Sequence, residues 1–131
     1  MPPEARVAII EDKRDFRMIE RGLLAEGGHT VVMEIATVWE AQRSIPDLWL
    51  SGVQVVILDG NLTPGQTDGS EGRQLAKQIK EVYPDGTIKV VGVTMDRDGV
   101  EGADAQVSKE RMMRGTADLS QAVTELEVTP R

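Results

Sequence analysis

The sequence contains no cysteine, one histidine and few aromatic residues, which make up 3% of the chain. Without cysteine the chain cannot form disulfides, use a thiol nucleophile or bind zinc through thiolates. Because His29 is the only histidine, we expect neither a histidine-rich metal site nor a Ser/His/Asp triad. We expect His29 itself to be a polar loop residue, and the tryptophans Trp39 and Trp49 to pack in the core or in a groove.

Positive charge is also scarce, since 15 Lys and Arg face 22 Asp and Glu, for a net charge of -7. Nucleic acid attracts clustered basic residues, so the sequence predicts no direct nucleic-acid partner. No apolar run approaches the roughly 18 residues of a membrane span, and the N-terminus lacks the pattern of a signal peptide. Together with the lack of cysteine, these features predict a cytoplasmic protein without membrane insertion.

The length of 131 residues fits a single domain, whose core we place at about residues 5–127. Short β-branched runs alternate with longer segments of helical period, which is typical of an α/β fold with helices on both faces of a parallel sheet. Helices are predicted before Gly27-Gly28, around an interruption at Pro46, before Pro84 and near the C-terminus. Strands are predicted near residues 6–10, 30–36, 53–58, 88–93 and 104–108.

The apolar faces of two of these helices can be read from their spacing. In the first helix the face comprises Phe16, Ile19, Leu23 and Leu24, and in the third it comprises Leu75, Ile79, Val82 and Tyr83. The stretch between the fourth and fifth strands leaves about nine residues for a helix, including Gly99 and Gly102. It therefore supports a fourth helix of at most one or two turns.

Polar residues follow four of the predicted strands at the point where each strand ends. Glu11 and Asp12 follow the first strand, Asp59 the third, Thr94 the fourth and Lys109 the fifth. Ligands of open α/β sheets bind at this carboxyl edge, so we expect these side chains to meet there. Carboxylates brought together repel each other and lose hydration, which a shared divalent cation relieves. The set suits phosphoryl transfer, which depends on positioned charge neutralisation.

Each of these residues also has an ordinary explanation when taken alone. Asp12 could cap a helix, Asp59 could open a turn, Thr94 could be a β-branched strand residue and Lys109 a solvated surface charge. Their joint order at successive strand ends is what favours a functional site.

Four segments carry a resemblance to a known family. They are Ile9-Ile10-Glu11-Asp12, Val56-Ile57-Leu58-Asp59, Val91-Gly92-Val93-Thr94, and Gly102-Ala103-Asp104 leading to Ser108-Lys109. Over nearly the whole chain the sequence resembles the receiver domains of bacterial two-component response regulators, the CheY-like superfamily. The resemblance implies a flavodoxin-like, doubly wound sheet of five parallel strands in the order 2-1-3-4-5, and a stand-alone receiver that is atypical in its output region.

The same resemblance implies a phosphorelay function. Asp59 would accept a phosphoryl group from a phosphohistidine on a sensor histidine kinase or a histidine phosphotransfer protein. Thr94 and Lys109 would bind the phosphoryl oxygens. The chain would signal to a downstream protein by contact, with homodimerisation left open, and would be no enzyme beyond slow self-catalysed phosphorylation and dephosphorylation.

A Mg²⁺ cofactor is also implied by the resemblance. Asp12 and Asp59 would bind the ion directly, Glu11 through water, and Asn61 through its backbone carbonyl. All of these are oxygen ligands, which a hard cation prefers.

Three residues depart from the family pattern at positions that affect how the signal is read. Gln106 stands where the family has an aromatic residue, Glu110 where it commonly has proline, and Met95 where it has a small residue. With the short fourth helix, these departures leave open a receiver-like docking module that is never phosphorylated.

Two other functions are weaker alternatives. The segment Asp59-Gly60-Asn61-Leu62-Thr63 resembles the Asp-x-Asp-x-Thr motif of haloacid-dehalogenase-type phosphatases, but Asn61 cannot serve as the general acid/base. The same segment resembles a calcium loop, with Pro64 where glycine is needed and Ser70 where glutamate is needed.

Overall fold

The computed structural model describes residues 4–95, 99–126 and 128–130. Five parallel strands form one sheet in the order β2-β1-β3-β4-β5, which confirms the predicted topology. The strands are β1 (Arg6–Ile10), β2 (Thr30–Ile35), β3 (Val55–Asp59), β4 (Lys89–Thr94) and β5 (Ala105–Ser108). Each of these bounds lies within two residues of the predicted one.

The central strands are apolar because helices cover both of their faces. Every residue of β3 is buried, and successive side chains point to opposite sides of the sheet. Val56 and Leu58 therefore belong to one core, and Val55 and Ile57 to the other.

Five α-helices are present in the described residues. They are α1 (Arg14–Glu26), α2 (Val38–Ser44), α3 (Ser70–Val82), α4 (Lys109–Met113) and α5 (Asp118–Glu125). The first core packs against α2 and α3, and the second against α1 and α5. A 3₁₀ turn (Ile45–Asp47) follows α2, so Pro46 does interrupt the helix as predicted. None of these helices combines the length and the apolar character needed to cross a membrane.

The apolar faces of α1 and α3 differ from their predicted composition. Ile19 and Val82, expected to be buried, are exposed at the margins of these faces. The inward position next to Ile19 is taken by Glu20, whose residue exposure is only 2%. A carboxyl group thus stands where the helical period alone would have predicted an apolar side chain.

The rare residues differ from expectation in burial rather than in place. His29 lies in the loop between α1 and β2 as predicted, but it is buried there. Its Nδ1 accepts a hydrogen bond from the Ala5 amide at 3.1 Å, and its Nε2 lies 3.0 Å from Thr124 Oγ1. Trp39 lines a groove together with Arg43 but remains exposed, whereas Trp49 packs against the first core.

The connection from β4 to β5 is short. Its described residues, 95 and 99–104, contain turns and no helix, in keeping with the limit of one or two turns. Positive φ angles at Gly99 (68°) and Gly102 (89°) reverse the chain within this space. The sequence did not predict α4, which begins directly after β5 and has Ser108 as its N-cap residue.

Candidate functional site

Three carboxylates meet at the carboxyl ends of β1 and β3, which are neighbours in the sheet. One oxygen from each of Glu11, Asp12 and Asp59 lies within 4.8 Å of the others. Glu11 and Asp59 are buried and Asp12 is half-buried. The structure therefore brings together the acidic residues that the strand ends predicted.

Lys109, the first residue of α4, reaches this cluster. Its Nζ lies 3.1 and 3.4 Å from the two carboxyl oxygens of Glu11 and 3.3 Å from Asp59 Oδ2. The ammonium also lies 4.1 Å from the centre of the Phe16 ring, which favours a cation. The side chain of Lys109 is buried, so its ammonium interacts with these two acids rather than with bulk water.

Burial sets the protonation of the cluster. The pKa of Glu11 is raised to about 9, mainly by burial. The hydrogen bond with Asp59 and the charge of Asp59 also raise this pKa, whereas the charge of Lys109 lowers it. For Lys109, burial acts to lower the pKa, but the charges of Asp59 and Glu11 outweigh it and the pKa is raised. The raised pKa of Lys109 keeps its ammonium charged at neutral pH.

The donor set fits a small hard cation. Asp12 Oδ1 is buried and has no hydrogen-bond partner among the described residues, so it is free to coordinate. Mg²⁺ binds oxygen at about 2.0–2.1 Å, which places opposite ligands about 4.2 Å apart. The three carboxylate oxygens, which lie within 4.8 Å of one another, are close to that spacing. Asn61 lies beside the carboxylate cluster, and its backbone nitrogen donates a hydrogen bond to Asp59 Oδ1 at 3.4 Å.

A cavity opens above Asp59, and Thr94 lies on its wall. Thr94 is buried at the end of β4, and its Oγ1 is 3.5 Å from where a Cβ on Gly60 would stand. Met95, by contrast, is 65% exposed at the rim of the cavity. The complete lining is Lys13, Asp59, Asn61, Gln66, Thr67, Thr94, Met95 and Lys109.

Sequence reasoning missed three of the residues that line this cavity. Lys13 directly follows the acidic pair of β1, so its position could have indicated a second cation near the site. Gln66 and Thr67 belong to the long loop after Asp59, whose internal geometry cannot be read from sequence.

Arg17 on α1 shapes the turn that carries Glu11 and Asp12. Its Nη1 donates to the backbone carbonyls of these residues at 2.9 and 3.1 Å. The guanidinium Nε lies 3.7 Å from Glu34 on β2. Helix α1 thereby holds the turn that carries the two carboxylates. The apolar periodicity of the helix did not predict this role.

The loop after Asp59 is held by α3. Glu71 accepts hydrogen bonds from the amides of Leu62 (2.8 Å) and Thr63 (2.9 Å). Gly72 allows the helix to approach, because a Cβ there would stand 2.7 Å from Gly60 Cα and 2.8 Å from the Asp59 carbonyl oxygen. Only glycine fits this contact.

Two side chains of the loop brace it internally. Asn61 Oδ1 accepts a hydrogen bond from the Gly69 amide at 2.8 Å, and Thr63 Oγ1 donates to Glu71 at 2.5 Å. These oxygens are occupied within the loop, which disfavours both the calcium-loop and the phosphatase interpretations of the segment. In the described part of the chain, the carboxylate cluster at Asp59 is the one group of three or more acids close enough to share a metal ion.

Among comparisons with known proteins, only the comparison with solved structures gives matches, and these matches identify the fold. No family model and no curated protein matches the sequence. Solved structures do match. The non-phosphorylated HemR receiver domain from Leptospira biflexa shares 20% identity at a TM-score of 0.68, with 98% of this chain and 99% of that chain covered.

Two further structures agree with this match. A response regulator receiver domain protein from Clostridium thermocellum is 22% identical at a TM-score of 0.65, over 91% of this chain and 90% of that one. The isolated receiver domain of RcsB from Salmonella enterica serovar Typhimurium, solved with the phosphomimetic BeF3-, is 21% identical at 0.66, over 92% and 86%. The chain has the receiver fold. In this fold the cluster at Asp59 lies where the sheet order reverses direction beside β1, the usual place for a ligand in an open α/β sheet.

Proposed function

We propose that the chain is a phospho-acceptor signalling module of a two-component phosphorelay, with Asp59 as the acceptor. The observation that carries the proposal is that three buried or half-buried carboxylates converge with the buried ammonium of Lys109. A cavity that Asp59 and Lys109 help to line opens above this cluster. The receiver fold supports it. The matched structures belong to response regulators of the same architecture.

In the proposed reaction, a carboxylate oxygen of Asp59 attacks the phosphorus of a phosphohistidine on a partner protein. A new O–P bond forms, the P–N bond breaks, and its electron pair returns to the partner's imidazole. Lys109 leaves its carboxylate partners for a phosphoryl oxygen, and Thr94 donates its hydroxyl to another. Mg²⁺, held by Asp12, Asp59, the carbonyl of Asn61 and, through water, Glu11, would neutralise the charge that gathers at the phosphoryl group.

The partners follow from this chemistry. A sensor histidine kinase or a histidine phosphotransfer protein would donate the phosphoryl group, and a downstream protein would respond by contact. A single receiver domain, a cytoplasmic location and slow self-catalysed turnover of the aspartyl phosphate remain predictions from the sequence, and homodimerisation stays open.

Acetyl phosphate with Mg²⁺ provides the test. Intact-mass measurement is expected to show one added phosphoryl group that hydroxylamine removes, and none after chelation of Mg²⁺. The variant Asp59→Asn, which keeps the shape but removes the nucleophile, is expected to stay unmodified. An adduct of equal yield in the variant, or none in the wild type over a range of Mg²⁺ and pH, would contradict the proposal.

A docking module that is never phosphorylated is the second candidate. Met95 at the cavity rim favours it, because a small residue there would leave the phosphoryl group more room. This alternative predicts that Mg²⁺ with beryllofluoride, a phosphoryl mimic, leaves the amide NMR signals of Asp59, Thr94 and Lys109 unchanged. The main proposal predicts shifts at all three.

A further inference from the structure

Near β5, the face of the sheet that packs on α2 and α3 is covered by the β4–β5 connection. There the β4–β5 connection lies directly on the strands, because Gly92 leaves room for Val100. A Cβ on Gly92 would stand 2.7 Å from Val100 Cβ. Val100 is buried in the first core, so its side chain covers the sheet at this place.

The side chain of Gln106 holds Val100 of this connection against the sheet. Its side-chain oxygen accepts a hydrogen bond from the Val100 amide at 2.9 Å, and its side-chain nitrogen donates to the Val100 carbonyl at 2.7 Å. Gly99 makes space for this amide, since a Cβ there would stand 2.3 Å from Gln106 Oε1. Gly99 and Val100 are therefore held against Gln106 on β5.

A groove runs between α3 and the described part of the β4–β5 connection. One wall is the solvent-facing side of the helix, with Arg73 and Lys77 one turn apart, and the opposite wall is the turn at Glu101 and Gly102. Between the walls lies Ala76, whose Cβ is 3.6 Å from where a Cβ on Gly102 would stand. The small residues leave room for an extended chain to lie close to the helix.

The groove is cationic on an acidic protein. Lys80, which also lines it, is paired with Asp104 at 2.6 Å, whereas Arg73 and Lys77 form no salt bridge with any residue that the structure describes. Glu101 is the one acid among the described residues that line the groove. Two exposed cations without a salt bridge thus stand side by side in a chain whose net charge is -7.

We propose that this groove is a docking surface for a short acidic segment of a partner protein. Residues four apart on a helix are separated by about 6 Å along its axis, and alternate side chains of an extended segment by about 7 Å. Carboxylates at alternate positions of the segment therefore match Arg73 and Lys77. A long polyanion such as nucleic acid is repelled by the net charge of the whole chain, whereas a short segment senses the local cations.

NMR titration of the full chain tests this proposal. The probe is a short synthetic peptide with aspartate and glutamate at alternate positions, and the matched control peptide carries asparagine and glutamine instead. We expect amide shifts confined to residues 73–80 and 99–104 with the acidic peptide alone, weakening as salt is added. Shifts spread over other surfaces, or equal shifts with the neutral peptide, would overturn the proposal.

Charge-removal variants sharpen the test. Arg73→Ala with Lys77→Ala is expected to weaken peptide binding at least about tenfold, because each carboxylate loses a charged partner. Arg43→Ala with Arg114→Ala removes the same charge from other surfaces and is expected to change affinity less than about twofold. Equal losses in both double variants would overturn the site. A short oligonucleotide that binds the groove more tightly than the peptide would overturn the partner class. None of these readouts depends on phosphorylation of Asp59.

Discussion

The carboxyl edge of the sheet is built differently at its inner strands β1 and β3 and at its end strand β5. At β1 and β3, buried groups converge on one point, and helices α1 and α3 brace the turns that carry them. Beside β5, the described part of a short connection forms turns and is held by the side-chain amide of Gln106. The comparison separates two tasks. In our two proposals, the first region accepts a phosphoryl group and the second binds a partner.

Removing the buried cation tests the first region most severely. Lys109→Met leaves Asp59 buried without its ammonium partner, so we expect the free energy of unfolding at pH 7 to fall by about 3 kcal/mol. Urea denaturation measures this loss. Mg²⁺ is expected to restore part of it, because the ion binds only the folded chain. A variant as stable as the wild type without Mg²⁺ would show that the ammonium does not hold the acids together.

Glu20 tests the same region through pH. Burial raises its pKa from 4.5 to about 8, while Lys109 and Arg17 act to lower it and Asp59 to raise it. Between these two values the folded chain keeps a proton that the unfolded chain has released. The group therefore makes the free energy of unfolding fall as pH rises, by about 1.4 kcal/mol per pH unit.

Glu20→Gln removes this dependence because glutamine does not titrate. We expect the variant to gain stability relative to the wild type as pH rises from 4.5 to 8, measured by denaturation at a series of pH values. Glu26→Gln, an exposed change on the same helix, is the control and should leave the profile unchanged. Parallel profiles for wild type and Glu20→Gln would contradict the buried, protonated state of Glu20.

Paired glycine substitutions test the contact between α3 and the loop after Asp59. Gly72→Ala is expected to lower the free energy of unfolding by about 2 kcal/mol, because its Cβ meets rigid backbone. It should also slow phosphorylation by acetyl phosphate. Gly22→Ala, on α1 with open space around it, should raise stability by about 0.5–1 kcal/mol. Equal effects of the two changes would mean that the contact is not tight.

The smallest effect on acceptor chemistry is expected from Gln106→Ala. Loss of two hydrogen bonds to Val100 should lower stability by about 1–2 kcal/mol. We expect the rate of phosphorylation by acetyl phosphate to change less than about twofold. A larger change in that rate would show that the two regions are coupled, and would weaken the comparison.

The strands were predictable because their apolar runs are short, β-branched and bounded by turn residues, and the strand ends then placed Asp59 and Lys109 at one edge. Periodicity failed where a polar group is buried, as for Glu20, since it assigns only apolar side chains to the core. It also missed Arg17, which stabilises the turn through backbone carbonyls. Such contacts depend on the packed geometry of several elements.

Transfer from a small P–N donor tests the central claim most directly. Phosphoramidate carries the same kind of bond as phosphohistidine, and peptide mapping after incubation with Mg²⁺ locates any modified residue. The account predicts a phosphoryl group on Asp59 in the wild type and none in Asp59→Asn. Modification at another residue, or an unmodified Asp59 while Mg²⁺ is bound at the carboxylates, would contradict it.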